Sequence, residues 1–276
     1  MGTMVQAETA ISRRLASGRA SRRAFFGVSA LLFAASAAVT IVWCASMSTG
    51  EMPMSSGWTM SMAWMRMPGQ TWAGAAASFL GMWSAMMVAM MLPSLAPMLS
   101  RYSEAINATA EERLGRLTGL VALGYFFVWT VFGMAVFPVG VSLATIAMQH
   151  PLVACAVPIA VGAVVLIAGS FQLTAWKARQ LACCREPPGR ARTLSADAGA
   201  AWRHGVRLGL LCACSCANWM AMLLVIGVMD VRAMAVVTAA ITVERLAPEG
   251  TGAARAIGAV TVGSGVLVIV RAAGVL

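Results

Sequence analysis

The sequence predicts an all-α protein, a polytopic bundle of about seven transmembrane helices. Hydrophobic residues make up 60% of the 276 residues and charged residues 11%, whereas about 25% of the residues in a soluble domain are charged. A chain of this length could not bury so much apolar surface in water, so lipid must be part of its solvent. The composition therefore excludes a cytosolic enzyme, a disordered chain and a secreted disulfide-rich protein.

The uncharged stretches of the chain give the positions of the helices. Charged residues are absent from residues 24–50, 67–100, 117–176 and 208–229. About 20 residues cross the hydrocarbon, so the longest stretch must contain two helices, and we expect it to divide at His150-Pro151. The predicted helices are 24–46, 72–97, 117–146, 152–176, 206–228, 232–246 and 255–275. The last two come from shorter uncharged stretches, for which a re-entrant hairpin is the alternative.

The basic residues predict the orientation of the bundle. With the N-terminus in the cytoplasm, 17 of the 20 Lys and Arg residues lie on the cytoplasmic side, as the positive-inside rule requires. We therefore predict a multi-pass protein of the cell inner membrane. Residues 1–23 form a basic cytoplasmic tail, and residues 24–276 form one transmembrane domain with a methionine-rich external loop at 47–71. The stretch 21–26 resembles a twin-arginine export signal, but we interpret it as the basic flank of the first helix.

Methionine is concentrated in the predicted external loop. Three Met-x-Met pairs occur there, and the candidate metal ligands among them are Met60, Met62, Met65 and Met67. Thioether sulfur is soft and uncharged, which suits Cu(I) in an external compartment. The alternative is that these flexible side chains pack an amphipathic loop against the membrane surface.

The second predicted helix carries a denser methionine cluster. Met82, Met86 and Met90 follow one another at i, i+4 and i+8, while Met87 and Met91 form a neighbouring stripe. The candidate metal ligands are Met86, Met87, Met90 and Met91. A methionine-lined packing face is the alternative.

Cysteines in the fifth predicted helix complement this cluster. Cys212 and Cys216 share one helix face, whereas Cys214 points elsewhere. The first two are candidate metal ligands, and burial as small apolar residues is the alternative. The opposite directions of the second and fifth helices place both sulfur clusters about 9–16 Å above the inner surface. They form one site if the two helices are neighbours, which the sequence does not show.

Two further cysteines, Cys183 and Cys184, follow the fourth predicted helix on the cytoplasmic side. Basic residues around them favour thiolates, so we expect them to exchange a soft metal with the cytoplasm. Lipid-modified or inert thiols are the alternatives. Among the ionisable groups, Glu244 is the strongest candidate for a functional residue inside the membrane. The alternative interpretation is that it forms a local ion pair with Arg245.

Four motifs occur in a fixed order along the chain: Ala89-Met90-Met91-Leu92-Pro93-Ser94, Ala168-Gly169-Ser170-Phe171-Gln172-Leu173-Thr174, the cysteines at 212–216, and Glu244-Arg245-Leu246-Ala247-Pro248. From about Trp83 to the C-terminus, the chain resembles a bacterial family of predicted metal-binding integral membrane proteins, domain of unknown function 2182. The resemblance implies a polytopic helical protein with a metal role that is often associated with copper. The chain departs from the family pattern at Gln180 and Ser215, where cysteines are usual, and a site that depends on those thiols would be rebuilt here.

These patterns predict an integral membrane protein that binds Cu(I) and delivers or transports it for metalloprotein assembly. Copper is the expected metal, and the expected partners are the lipid bilayer and a metallochaperone or metalloenzyme, with no nucleic acid. One alternative is a subunit of a copper-dependent membrane oxidase, against which the presence of only two His residues argues. Another is a metal-free membrane scaffold or permease component. No familiar catalytic motif occurs, so no catalytic residue is predicted.

Overall fold

A computed structural model describes residues 2–48, 52–53, 59–67, 69–107, 114–185, 197–247 and 250–274. Over these residues it contains eight α-helices: α1 Gly2–Ser48, α2 Trp72–Asn107, α3 Leu114–Gln149, α4 Pro151–Gln172, α5 Ala175–Arg185, α6 Ala198–Ile226, α7 Val231–Leu246 and α8 Gly250–Ala272. Between α1 and α2, the two-residue strands Met52–Pro53 and Thr59–Met60 pair antiparallel. The predicted all-α fold is confirmed.

Six of these helices, α1, α2, α3, α4, α6 and α8, are long and apolar enough to span a membrane. The remaining long element, α7, has 16 residues, fewer than the about 20 that a crossing needs. The helix predicted at 232–246 therefore exists, but it lacks the length of a full span.

The helix ends differ from the prediction at two places that matter for the site. α2 continues through Pro93 and Pro97 to Asn107, because a proline removes only one backbone hydrogen bond and neighbouring helices support the rest. The helix predicted at 152–176 ends at Gln172, and α5 begins three residues later. The segment between the helices predicted at 152–176 and 206–228 therefore contains most of α5 and the first turns of α6.

The break between α3 and α4 lies where the sequence places it. α3 ends at Gln149, and α4 begins at Pro151 with His150 as an extended N-cap. Proline suits the first position of a helix because its missing N–H would have no partner there.

α6 is the central helix of the bundle and packs against α3, α4, α5 and α7. It runs parallel to α3, and a Cβ atom on Gly205 would collide with the carbonyl oxygen of Val121. One turn further, Gly209 lies against Tyr125 in the same way. The two glycines let the backbones approach closely, as small residues do between membrane helices. This contact positions α3 side chains beside the cysteines of α6.

Candidate metal centre

The clustered methionines of α2 are buried in the core of the bundle. Five of the six are at most 2% exposed, namely Met82, Met86, Met87, Met90 and Met91, whereas Met98 near the end of the helix is only partly buried. Because α2 packs against α1, α3 and α7, its methionines have protein around them on several sides. The packing interpretation and the metal interpretation both require burial. The distances between sulfur atoms distinguish the two interpretations better than burial does.

Three sulfur atoms from α2 and α6 meet inside this core. The Cys212 thiol donates a hydrogen bond to the Met91 thioether, with 3.8 Å between the sulfurs. The sulfurs of Cys212 and Cys216 are also 3.8 Å apart, far beyond the about 2.05 Å of a disulfide. In a site with metal–sulfur bonds of about 2.3 Å, neighbouring sulfurs lie about 3.8–4.0 Å apart. We call Met91, Cys212 and Cys216 the thiol centre.

The structure thus brings part of the predicted ligand set together. The second and fifth predicted helices, α2 and α6, are joined here by a side-chain contact between Met91 and Cys212, while the backbone of α2 packs mainly against α1, α3 and α7. Met86, Met87 and Met90 belong to the same core cluster as the two cysteines. Cys214 is exposed, which agrees with its predicted position on another face of the helix.

Tyr125 of α3 contacts the thiol centre. Its hydroxyl donates a hydrogen bond of 2.8 Å to the sulfur of Cys212, and its side chain is 1% exposed. A buried hydroxyl needs such a partner. The phenol therefore fixes the position of the Cys212 sulfur.

A buried ion pair lies close to the thiol centre. The Nζ atom of Lys177 is 3.0 Å from Oε2 of Glu244, and both side chains are almost fully buried. The Oε1 atom of Glu244 accepts hydrogen bonds from Gln172 Nε2 at 2.7 Å and Trp219 Nε1 at 3.1 Å. Burying a charge pair requires such additional hydrogen bonds. Glu244 thus forms an ion pair with Lys177 of α5, a partner 67 residues away in the sequence that a local pattern does not predict.

Ser215 connects these charges to the thiol centre. Lys177 Nζ donates to its carbonyl oxygen at 2.5 Å, and Arg245 Nη2 donates to its hydroxyl at 3.2 Å. The same hydroxyl lies 3.7 Å from the Cys216 sulfur. Lys177 and Arg245 are therefore both hydrogen-bonded to Ser215, the residue next to Cys216. Positive charge near a cysteine stabilises the thiolate, the form in which cysteine binds a metal.

On the side of the bundle that carries the 47–71 segment, a second set of sulfur atoms lines a cavity of about 110 Å³. Its methionines are Met65 and Met67 from the loop, Met82 from α2 and Met229 from the turn between α6 and α7. We call this cavity the loop-side pocket. Of the loop candidates, Met65 and Met67 thus line a pocket, whereas the side chains of Met60 and Met62 lie outside the described residues.

The cytoplasmic pair is described only in part. Cys183 is exposed on α5, and the side chain of Cys184 lies outside the described residues. Within the described parts of the chain, no group of three or more His, Cys, Asp or Glu side chains is placed to bind a metal. A metal centre among these residues has to combine cysteine with thioether sulfur.

Sequence reasoning missed three residues that build these sites: Tyr125, Met229 and, as a buried charge, Lys177. One signal was present, because Lys177 is the single lysine among 20 basic residues. It lies 1% exposed in the structure. Tyr125 and Met229 gave no such signal, since their roles depend on which helices are neighbours.

A family model described as PpoB2, a copper chaperone, matches residues 80–268, more than half of the chain. The chain belongs to this copper chaperone family. The PpoB2 match includes the α2 methionines, Tyr125, Lys177, the cysteines of α6 and Glu244, whereas Met65 and Met67 precede it. It supports the copper association that the sequence resemblance implied, under a different family description. No curated protein and no solved structure matches the chain.

Proposed function

We propose that the protein is an integral membrane Cu(I) chaperone that holds the ion at the thiol centre and passes it on for metalloprotein assembly. One observation carries this proposal. The Cys212 sulfur lies 3.8 Å from both the Met91 and the Cys216 sulfurs, in a core shielded from solvent.

The donor set fits Cu(I) better than other biological metals. Two thiols and one thioether are soft ligands, which suit Cu(I) and exclude the oxygen-preferring ions Mg²⁺, Ca²⁺ and Mn²⁺. Zinc also binds thiolates, but its usual protein ligands are Cys, His and carboxylates, so the thioether favours Cu(I). Loss of both thiol protons gives two thiolates, whose charge one Cu(I) ion offsets only in part. Lys177 and Arg245, held at Ser215, and Glu244, paired with Lys177, together carry one net positive charge next to the resulting anionic complex. Family membership supplies the copper association independently.

The α2 methionines supply a path of sulfur atoms towards the thiol centre. Met82 and Met91 are nine residues apart, or about 14 Å along the helix axis. Met86, Met87 and Met90 lie between them, and all are buried. An ion that exchanges one thioether for the next crosses this distance without leaving sulfur coordination.

Release towards the cytoplasm is the role we assign to Cys183 and Cys184. They lie on α5, the helix that also places Lys177 beside the thiol centre. Cys183 is exposed, so a soluble metallochaperone or metalloenzyme can approach it. Serine replacements of both residues should slow copper transfer to an acceptor while leaving the affinity of the thiol centre unchanged.

This arrangement requires an orientation in the inner membrane, with α5 and the N-terminus in the cytoplasm. The distribution of basic residues supports it. A membrane-impermeant thiol reagent should not label Cys183 or Cys184 in intact cells, but should label a cysteine introduced at exposed Arg66. Labelling of the native pair in intact cells contradicts the orientation.

A Cu(I) titration of the purified full-length protein against a competing chelator tests the function. The Cys212→Ser/Cys216→Ser variant should lose more than about 100-fold in affinity at the thiol centre, since a second-shell change alone costs about 10–100-fold. Cys214→Ser, on the same helix but exposed, is the matched control and should bind as the wild type does. Equal binding by the double variant and the control refutes the proposal.

The contribution of α2 needs its own variant. Leucine nearly conserves the volume of methionine, so each substitution among Met86, Met87, Met90 and Met91 should cost less than about 1.5 kcal/mol. The quadruple leucine variant should remain folded and bind Cu(I) more weakly. A folded quadruple variant with unchanged Cu(I) affinity removes α2 from the site.

A further inference from the structure

The loop-side pocket has a composition that packing alone does not require. Four of its lining side chains are methionines, contributed by three separate parts of the chain: Met65 and Met67, Met82, and Met229. Methionine is a flexible residue that readily fills gaps, yet here four methionines line a partly open pocket of about 110 Å³, and Met67 remains 47% exposed.

One of these thioethers is held in place by a further sulfur. The Cys44 thiol of α1, 3% exposed, donates a hydrogen bond to the Met229 sulfur at 3.9 Å. Trp43 and Phe79 line the pocket beside it. The turn between α6 and α7 is thereby tied to α1, and Met229 is positioned rather than loosely packed.

Charges around the pocket fit a monovalent cation. Every described side chain that lines it is uncharged. The carboxylate of Asp230, the residue after Met229, caps α7 by accepting from the backbone N–H groups of Arg232 and Ala233. The Arg66 guanidinium, between the two loop methionines, lies over the Trp72 ring, 5.4 Å from its centroid, and is not among the lining groups. A cage of neutral thioethers can bind a soft monovalent cation without losing a proton.

We propose that the loop-side pocket is a second Cu(I) site, built from the thioethers of Met65, Met67, Met82 and Met229, which loads the methionines of α2. Met65 and Met67 precede the residues that match the family, so the family match does not assign this site. Met82 belongs both to the pocket and to the i, i+4, i+8 stripe that continues through Met86 and Met90. The loading role rests on the proposed chaperone function, whereas Cu(I) binding in the pocket does not.

The test removes the thiol centre first. In the Cys212→Ser/Cys216→Ser background, purified full-length protein should still bind about one Cu(I) ion, because neutral thioethers remain as ligands. Adding Met65→Leu, Met67→Leu and Met229→Leu should weaken this binding by at least about tenfold. Adding Met134→Leu, at an exposed position of α3, is the matched control and should change nothing.

Two outcomes overturn the proposal. Absence of Cu(I) binding in the Cys212→Ser/Cys216→Ser variant shows that the pocket is not a site. If the wild type still binds one ion, the proposal for the thiol centre stands. Binding that survives the three leucine substitutions places the ion elsewhere. If the wild type binds Cu(I) in the pocket but not at the thiol centre, only the proposed chaperone function is refuted.

A measurement on the unaltered protein guards against misfolded variants. Ag(I), a soft monovalent ion, should protect Met65 and Met67 from oxidation to the sulfoxide by hydrogen peroxide, because the coordinated sulfur cannot react. Exposed Met134 should oxidise at the same rate with and without Ag(I). Equal oxidation of Met65 and Met67 in both conditions contradicts the proposal.

Discussion

The thiol centre and the loop-side pocket are both lined by sulfur, yet their surroundings differ. The thiol centre combines two cysteines with one methionine, and the buried Lys177–Glu244 pair and Arg245 lie behind it. Among the described residues, the pocket is lined by four methionine thioethers and by uncharged side chains, and Met67 remains 47% exposed. Thioethers bind Cu(I) without losing protons, whereas thiols must become thiolates. The comparison indicates that anionic ligands occur where the surrounding helices supply positive charge, and neutral ligands occur where they do not.

The largest expected effect comes from removing the charge behind the thiol centre. Lys177→Met leaves Glu244 buried without its ion-pair partner, which should destabilise the protein by about 3–5 kcal/mol. Thermal unfolding in detergent measures the loss. Arg179→Met, at an exposed position of the same helix, should change stability by less than about 0.5 kcal/mol.

The same substitution separates the two regions. If the charges serve the thiol centre alone, Lys177→Met weakens Cu(I) binding there and leaves Ag(I) protection of Met65 unchanged. The double variant Lys177→Met/Glu244→Gln should recover part of the stability, because no unpaired charge stays buried. A double variant as unstable as the single one contradicts the ion-pair account.

A smaller effect is expected where α3 meets α6. A methyl group at Gly205 would collide with the Val121 carbonyl oxygen, so Gly205→Ala should cost about 1–3 kcal/mol by overpacking. It should also weaken the thiol centre, because it moves Tyr125 away from Cys212. Gly263→Ala, where no atom lies within 4 Å of the added methyl group, should stabilise α8 by up to about 1 kcal/mol. Equal behaviour of the two alanine variants would mean that the close approach of α3 and α6 is unimportant.

The smallest effect concerns a single hydrogen bond. Tyr125→Phe removes the hydroxyl that donates to Cys212 at 2.8 Å. One such bond contributes about 0.5–1.5 kcal/mol, which corresponds to an about 2- to 12-fold change in Cu(I) affinity. Chelator competition measures it at the thiol centre, and binding in the pocket should not change. An unaltered affinity at the thiol centre would show that the phenol only fills space.

The fold could be predicted from the sequence because charge and hydropathy fix membrane helices locally. His150-Pro151 divides α3 from α4 as expected, and an apolar run of sufficient length needs no knowledge of its neighbours. α7 is the exception. Its uncharged run suggested a crossing, but a helix of 16 residues is stabilised here by its contacts with α2, α6 and α8.

The candidate site could be predicted only in part, for a related reason. Helical spacing alone pairs Cys212 with Cys216 on one face and separates them from Cys214. The contact with Met91 requires the side chains of α2 and α6 to meet, and the role of Lys177 requires α5 to fold back against α6. Such contacts join residues 38 or more positions apart, and no local pattern encodes them.

The central claim is that one Cu(I) ion joins Met91 to Cys212 and Cys216. The most direct measurement is the rate at which a membrane-permeant maleimide modifies Cys212, Cys214 and Cys216, followed by mass spectrometry with and without Cu(I). We predict that copper protects Cys212 and Cys216 but not Cys214, and that Met91→Leu weakens this protection without altering any cysteine. Alkylation of Cys212 and Cys216 that is indifferent to copper, or protection that persists fully in Met91→Leu, would contradict the claim.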